Sequence, residues 1–241
     1  IIIKLIYPNE FTPLLRFWTG MPVDTDSCLC PWCKTTRQDA FGYHALVCKS
    51  TGLKVLRHNA LREVFLRYCK MANVAADRET PDLLPGSNDR PADVLLENPE
   101  QLARLTLPNY DGNRPVCLDF AVTHPLQTKT LNRAGVSQGA AADDYADSVK
   151  ADKYEAKCDV ENLSFVPMVV EVFGAWGKRA RPVLEFLARA VAFNKSINQD
   201  RASVFLGQAL CVTLQRHNVR ALLRHRNPDD PHIEDDPVPV V

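Results

Sequence analysis

The stretch VCLDFAVTHP, residues 116–125, constrains this chain more than any other. A short apolar run of β-branched and aromatic residues held between Pro115 and Pro125 reads as a buried strand rather than a helix. Asp119 stands in the middle of it. An ionised carboxylate in such surroundings is costly unless a hydrogen-bond network, a cation or a metal answers it. The fold must therefore bring Asp119 a partner, whether a structural Arg, solvent at the strand's end, or a functional site.

The segments around this strand give its context. RHNALREVFLRYCKMANVA has Leu61, Val64, Phe65 and Tyr68 at helical spacing and no Pro or Gly, so it predicts a helix. The period then changes. ETPDLLPGSNDRPADVLLENP holds two short extended runs separated by the turn signal PGSNDRP, and residues 97–114 read as a surface insertion. After the Asp119 strand, AADDYADSVKADKYEAKCDV is polar and helical and LSFVPMVVEVFGAWG is another buried strand. RPVLEFLARAVAFN and ASVFLGQALCVTLQRHNVRALLRHR predict two closing helices. Helix, three strands, helix, strand, then helices implies a layered α/β (α+β) core whose sheet is covered by helices.

Charge excludes a generic nucleic-acid binder, because 29 Lys and Arg balance 29 Asp and Glu. Any such function must rest on local patches such as RHNVRALLRHR, which taken alone reads as a solvated basic helix face. The acidic, Pro-rich residues 228–241 offset it and predict a disordered tail. The start, IIIKLIYPNEF, is too short and too soon interrupted to span a membrane and lacks a signal-peptide layout. Without an initiator Met, residues 1–27 read as the possible end of an upstream domain.

Four of the eight cysteines fall between Cys28 and Cys48, which favours metal binding in a reducing compartment over disulfides. Cys30-Pro-Trp-Cys33 followed by His44-Ala-Leu-Val-Cys48 supplies three thiols and an imidazole as two close pairs, the donor set of tetrahedral zinc. Cys28 is an alternative to Cys30. With all four positions filled the site is structural, a zinc knuckle over residues 28–50.

A second site follows from Asp93, which precedes the apolar run of RPADVLL as Asp119 sits within its own. On neighbouring strands the two carboxylates can converge on one divalent cation. Such a centre can cleave phosphodiesters, given a nearby Lys to stabilise the developing charge.

CPWC with HALVC, RHNALRE, RPAD, LDFAVTHP, KADKY and FGAW, in that order over residues 28–177, resemble the C-terminal part of site-specific non-LTR retrotransposon polyproteins. There a zinc knuckle precedes a PD-(D/E)XK restriction-like endonuclease, which would here occupy residues 53–227. The resemblance implies a metal-dependent DNA endonuclease that nicks a target to prime reverse transcription in the nucleus. Its partners would be DNA, with RNA as a further option, and an upstream reverse transcriptase region. By it Asp93 and Asp119 are ligands of Mg²⁺ or Mn²⁺, and Glu63 is an auxiliary acid. The sequence departs from the pattern at Ala92, which separates Pro91 from Asp93, and at Ala121, where the general pattern has Lys. The lysine function is expected on the following helix at Lys150 and Lys153, with Lys153 favoured, Tyr154 packing, Lys157 a solvated charge and Glu171 a strand-edge charge. The rival expectation is an inactive or domesticated nucleic-acid-binding module; the plainest is a zinc-stabilised fold with a salt bridge in place of a catalytic metal.

Overall fold

The structure is a computed structural model that describes residues 6–24, 28–102, 105, 107, 112–126 and 130–228. Along the chain, α1 (Pro8–Trp18) and α2 (Tyr43–Val47) precede the long α3 (Leu53–Ala72). Strands β1 (Ala76–Arg78) and β2 (Val94–Leu96) come next. The short α4 (Pro99–Leu102) leads to β3 (Val116–Thr123), the VCLDFAVT run. A turn of helix, α5 (Leu131–Ala134), leads into α6 (Ala140–Tyr145). A π-helical segment, Ala146–Ala151, passes directly into α7 (Asp152–Val160). The chain closes with β4 (Ser164–Glu171), α8 (Arg181–Lys195) and α9 (Gln199–Arg226). No helix among the described residues is long and apolar enough to cross a membrane.

The four strands form one mixed sheet in the order β1-β2-β3-β4. The first two pairings are antiparallel and β3 runs parallel to β4. The order of elements from residue 53 thus agrees with the expected mixed α/β layering, with one correction. The first extended run was expected in ETPDLL, but β1 lies earlier, at Ala76–Arg78. Glu79 and Asp82 both take positive φ, 50° and 58°, which breaks an extended run. Leu84 instead turns into the core with Leu95 and Cys117. The insertion is also less superficial than expected, since Leu102 and Leu105 are buried and Gln101 hydrogen-bonds the backbone of Ala75 and Asn73. Its residues 103, 104, 106 and 108–111, like residues 229–241 of the acidic tail, lie outside the described residues.

Two compact units divide the chain, cutting within α3 and α9. One comprises Ile1–Leu61, Val172–Gly174 and Gln208–Val241. Within residues 1–27, for which the sequence predicts no helix or strand, residues 8–18 form a helix. Pro8 occupies the first turn, where its missing N–H removes no bond, and Glu10 accepts the Tyr7 N–H at 3.2 Å. The buried Glu10 then meets Arg220 at 3.4 Å, and the Trp18 indole donates to Gln215.

The second unit comprises Arg62–Glu171 and Ala175–Gly207 and holds the sheet. Phe65 of α3 packs edge-on against Phe120, on one face of β3. On the opposite face Ala142 and Ala146 meet Ala121 and Val169, and Tyr154 and Cys158 meet Cys117 and Phe165. A single helical stretch, residues 140–160, makes all of these contacts. In an unbroken α-helix each four-residue step overshoots a full turn by about 40°, so Ala142, Ala146, Tyr154 and Cys158 could not share a face. The wider π turn takes back much of that drift. It also sets Lys150, midway in the series, toward the sheet.

Candidate functional site

Cys30, Cys33, His44 and Cys48 come together with their ligand atoms all within 4.8 Å of one another. The Cys30 and Cys48 sulfurs are 3.9 Å apart, and Cys33 Sγ lies 3.5 Å from His44 Nε2. Zinc–sulfur bonds of about 2.3 Å and a zinc–nitrogen bond of about 2.0–2.1 Å in a tetrahedron require ligand separations of roughly 3.8 and 3.6 Å. The residues present fit that ion. Cys28 is exposed and outside the cluster, so Cys30 is the one the fold supplies.

Local chemistry explains the geometry. The Cys30 N–H donates to Thr36 and the Lys34 N–H to the Cys30 carbonyl, each at 2.9 Å, closing a turn through Lys34 at φ 54°. The Cys33 N–H points at Cys30 Sγ. Donors from Thr35 and Thr36 hold the Cys33 thiol down to about 5, so it is poised as the thiolate a metal needs. His44 and Cys48 follow one helical step apart in α2, whose start is fixed by Asp39: its carboxylate accepts the N–H groups of Tyr43 at 2.9 Å and His44 at 2.7 Å. Gly42, at φ 75°, lets α2 lie against α9, because a Cβ there would fall 2.3 Å from Leu222. Trp32 and Gln38 donate to the carbonyls of Arg224 and His225 at the end of α9, two of the acceptors a helix leaves unpaired. The loop carrying the cluster is thereby also a helix cap. The sequence did not disclose Asp39 in this role, although an Asp shortly before HALVC is a helix-start signal.

In the sheet unit, the register Val94↔Leu118 continued by one residue sets Asp93 opposite Asp119, with both side chains on one face. Asp93 Oδ2 accepts the Phe120 N–H at 2.6 Å, and the two carboxyl groups are near enough to hydrogen-bond. Asp119 is 6 % exposed. Burial, opposed by Lys150 and aided by Asp93, pushes its carboxyl up to about 6.

Lys150 Nζ lies 2.6 Å from Asp119 Oδ2. Burial alone would lower the Lys150 ammonium, but the Asp119 charge outweighs it and the net shift is upward. The expected lysines thus separate. Lys153 turns away, its Nζ 2.7 Å from the Tyr154 hydroxyl and 3.3 Å from Asp89. Lys157 also reaches Asp89, at 2.5 Å, so the two share one carboxylate on the solvent side of α7. The reason is the π turn: Lys150 keeps step with Ala146 and Tyr154, and Lys153 does not. Tyr154 packs in the core, as expected.

Of the remaining residues, Glu63 is engaged by Arg62 at 3.0 Å and Arg78 at 3.2 Å. Glu171 ends β4 buried. Its carboxylate accepts the Ala141 N–H at 3.0 Å and faces those of Ala142 and Gly139 as well, so it caps the start of α6. Ala121, where a strand lysine would stand, packs against Ala142 and Ala146. No protein-family model matches this chain, and no curated protein matches it.

Proposed function

We propose that this chain is a metal-dependent DNA endonuclease module of the PD-(D/E)XK kind, stabilised by a structural zinc knuckle and related to the C-terminal part of site-specific non-LTR retrotransposon polyproteins. The observation that carries the reading is the facing pair Asp93 and Asp119 on adjacent antiparallel strands, with Lys150 brought onto Asp119 from the covering helix. The buried Asp119, its carboxyl raised by burial and by its neighbour Asp93, and the half-buried Asp93 together form a hard oxygen donor set suited to Mg²⁺ or Mn²⁺. The ion would supply Lewis acidity and a water acidified enough to attack phosphorus.

The protein's own groups divide the remaining work. Asp93 and Asp119 hold the ion, and the Phe120 N–H fixes the Asp93 rotamer. Lys150, a cation tethered beside them, stabilises negative charge gathering on the phosphate oxygens. The departure at Ala121 is met by this helix-borne lysine. Cys30, Cys33, His44 and Cys48 fill a zinc tetrahedron and leave no open position, which makes that ion structural. In this reading DNA, and RNA as a further option, are the partners. An upstream reverse transcriptase uses the nick, and the work is done in the nucleus.

Supercoiled plasmid tests the proposal. The chain should convert it to nicked circles with Mg²⁺ or Mn²⁺ and not with EDTA, and Asp93→Asn and Asp119→Asn should each abolish the product. Absence of nicking by the zinc-loaded chain with either ion would overturn it. A second reading, a binding module with no catalytic metal, is favoured by the same 2.6 Å contact, since Lys150 answers the Asp119 charge without any ion. Mn²⁺ titration separates the two, because a salt bridge alone binds no manganese.

A further inference from the structure

The last turn of α9 brings a second imidazole to the cysteine cluster. His225 is 2 % exposed, and its ring stands at 85° to that of His44 with centroids 5.8 Å apart. Its Nδ1 lies 2.8 Å from the Ala221 carbonyl oxygen. A carbonyl only accepts, so Nδ1 carries the proton and the neutral ring keeps a lone pair on Nε2. That nitrogen is buried and has no hydrogen-bond partner among the described residues.

His44 presents the complementary need. Its Nε2 faces Cys33 Sγ at 3.5 Å and is the ligand nitrogen of the cluster, which leaves Nδ1 as its donor. A metal-bound histidine normally donates its other N–H to an oriented acceptor, which fixes the tautomer and the ring plane. The Asp39 carboxylate, the nearest acidic group in α2's cap, is occupied by the backbone N–H groups of Phe41, Tyr43 and His44.

We propose that His225 is the positioning residue of the zinc centre: with the ion bound, its Nε2, unpartnered among the described residues of this structure, accepts the Nδ1–H of the adjacent His44 and holds His44 in the tautomer that binds metal through Nε2. The inference rests on reading the cluster as a zinc site. The acceptor is itself held in place by that site's own loop, since Gln38 donates to the His225 carbonyl at 2.8 Å and Trp32 to that of Arg224 at 3.2 Å. The knuckle caps the helix and the helix orients a knuckle ligand.

The test is competition with a chelator for zinc and Co²⁺ on the full chain. His225→Phe keeps a buried ring but removes the acceptor, and should weaken metal binding about 10- to 100-fold while the Co²⁺ spectrum still shows three thiolates and one nitrogen. His225→Gln, which restores an acceptor oxygen, should recover part of the loss. In the zinc-loaded wild-type chain, nitrogen-detected NMR should show a slowly exchanging His44 Nδ1–H with scalar coupling to His225 Nε2, a readout that needs no variant to fold. Unchanged affinity in His225→Phe, or no such coupling, overturns the inference. Failure of the wild-type chain to bind zinc or Co²⁺ overturns the zinc reading itself.

Discussion

The two candidate sites solve the problem of buried polar groups in opposite ways. In the cysteine cluster four donors face one another and bring no cation of their own. Three sulfurs and an imidazole held within 4.8 Å of one another could hold a metal ion. In the sheet, Asp119 has Lys150 at 2.6 Å, so the carboxylate pair is partly neutralised by the chain itself. In the proposed reading the first site depends on metal in order to fold and the second only in order to react. Each experiment below is a way to break that contrast or draw it more sharply.

The largest effect belongs to the cluster. Structural zinc contributes roughly 10–16 kcal/mol of binding free energy in small zinc domains, so Cys33→Ala or His44→Ala should remove zinc from the purified chain and unfold residues 28–48. The end of α9 should fray as well, because Trp32 and Gln38 supply its last hydrogen-bond donors. The sheet unit should keep its protection, since Leu118, Phe120 and Met168 are buried within its own elements. Metal analysis together with hydrogen exchange by mass spectrometry checks both halves. Zinc-free chain with residues 28–48 still protected would remove the contrast.

These two sites also differed in how far the sequence revealed them. The four residues of the cysteine cluster were legible because both pairs are local: short spacings within a turn and within one helical step fix the donors almost independently of tertiary structure. Asp93 and Asp119 were legible as carboxylates at or within apolar strands, since alternation along a strand and a plausible pairing put them on one face. The lysine beside Asp119 was half legible. The family resemblance offered Lys150 and Lys153 and favoured Lys153, whereas the fold sets Lys150 against Asp119; no rule of periodicity announces a π turn, which accompanies the packing of Ala142, Ala146, Tyr154 and Cys158 on one sheet face. Helix α1 was missed because residues 1–27 show no clear apolar period, and β1 because Ala76, Asp77 and Arg78, one half-buried and two exposed, carry no apolar pattern.

The next largest effect tests that half-legible lysine. Lys150→Ala should lower the nicking rate on the order of 10²–10³-fold, whereas Lys153→Ala and Lys157→Ala, which remove partners of Asp89 and, for Lys153, of the Tyr154 hydroxyl, should change it by less than about tenfold. Single-turnover nicking at saturating Mg²⁺ is the measurement. A Lys153→Ala loss as large as that of Lys150→Ala would mean that the helix turns differently when DNA is bound.

The smallest effects separate the two carboxylates. Asp119→Asn leaves the Lys150 ammonium, whose side chain is 18 % exposed, without its counter-ion and should destabilise the metal-free protein by about 3 kcal/mol. Asp93→Asn keeps that pair, keeps an oxygen for the Phe120 N–H, and removes a like charge, so it should stabilise by less than about 1 kcal/mol. The sign with pH follows from Asp119, raised by burial to about 6 in the folded chain against about 3.9 when unfolded. Between those values the folded state holds more protons, so stability of the metal-free chain falls as pH rises from about 4 to about 6 and is level above, by an amount on the order of 1–3 kcal/mol. In Asp93→Asn the fall should be shallower, because one of the influences raising Asp119 is gone. Saturating Mg²⁺ should reverse it in the wild-type chain, since the ion binds the deprotonated carboxylates and adds its stabilisation as they ionise. Thermal midpoints from pH 4 to 8, with and without Mg²⁺, read all three curves. If Mg²⁺ leaves the wild-type curve unmoved, Lys150 is the permanent counter-ion of Asp119 and the sheet site is a salt bridge and nothing more.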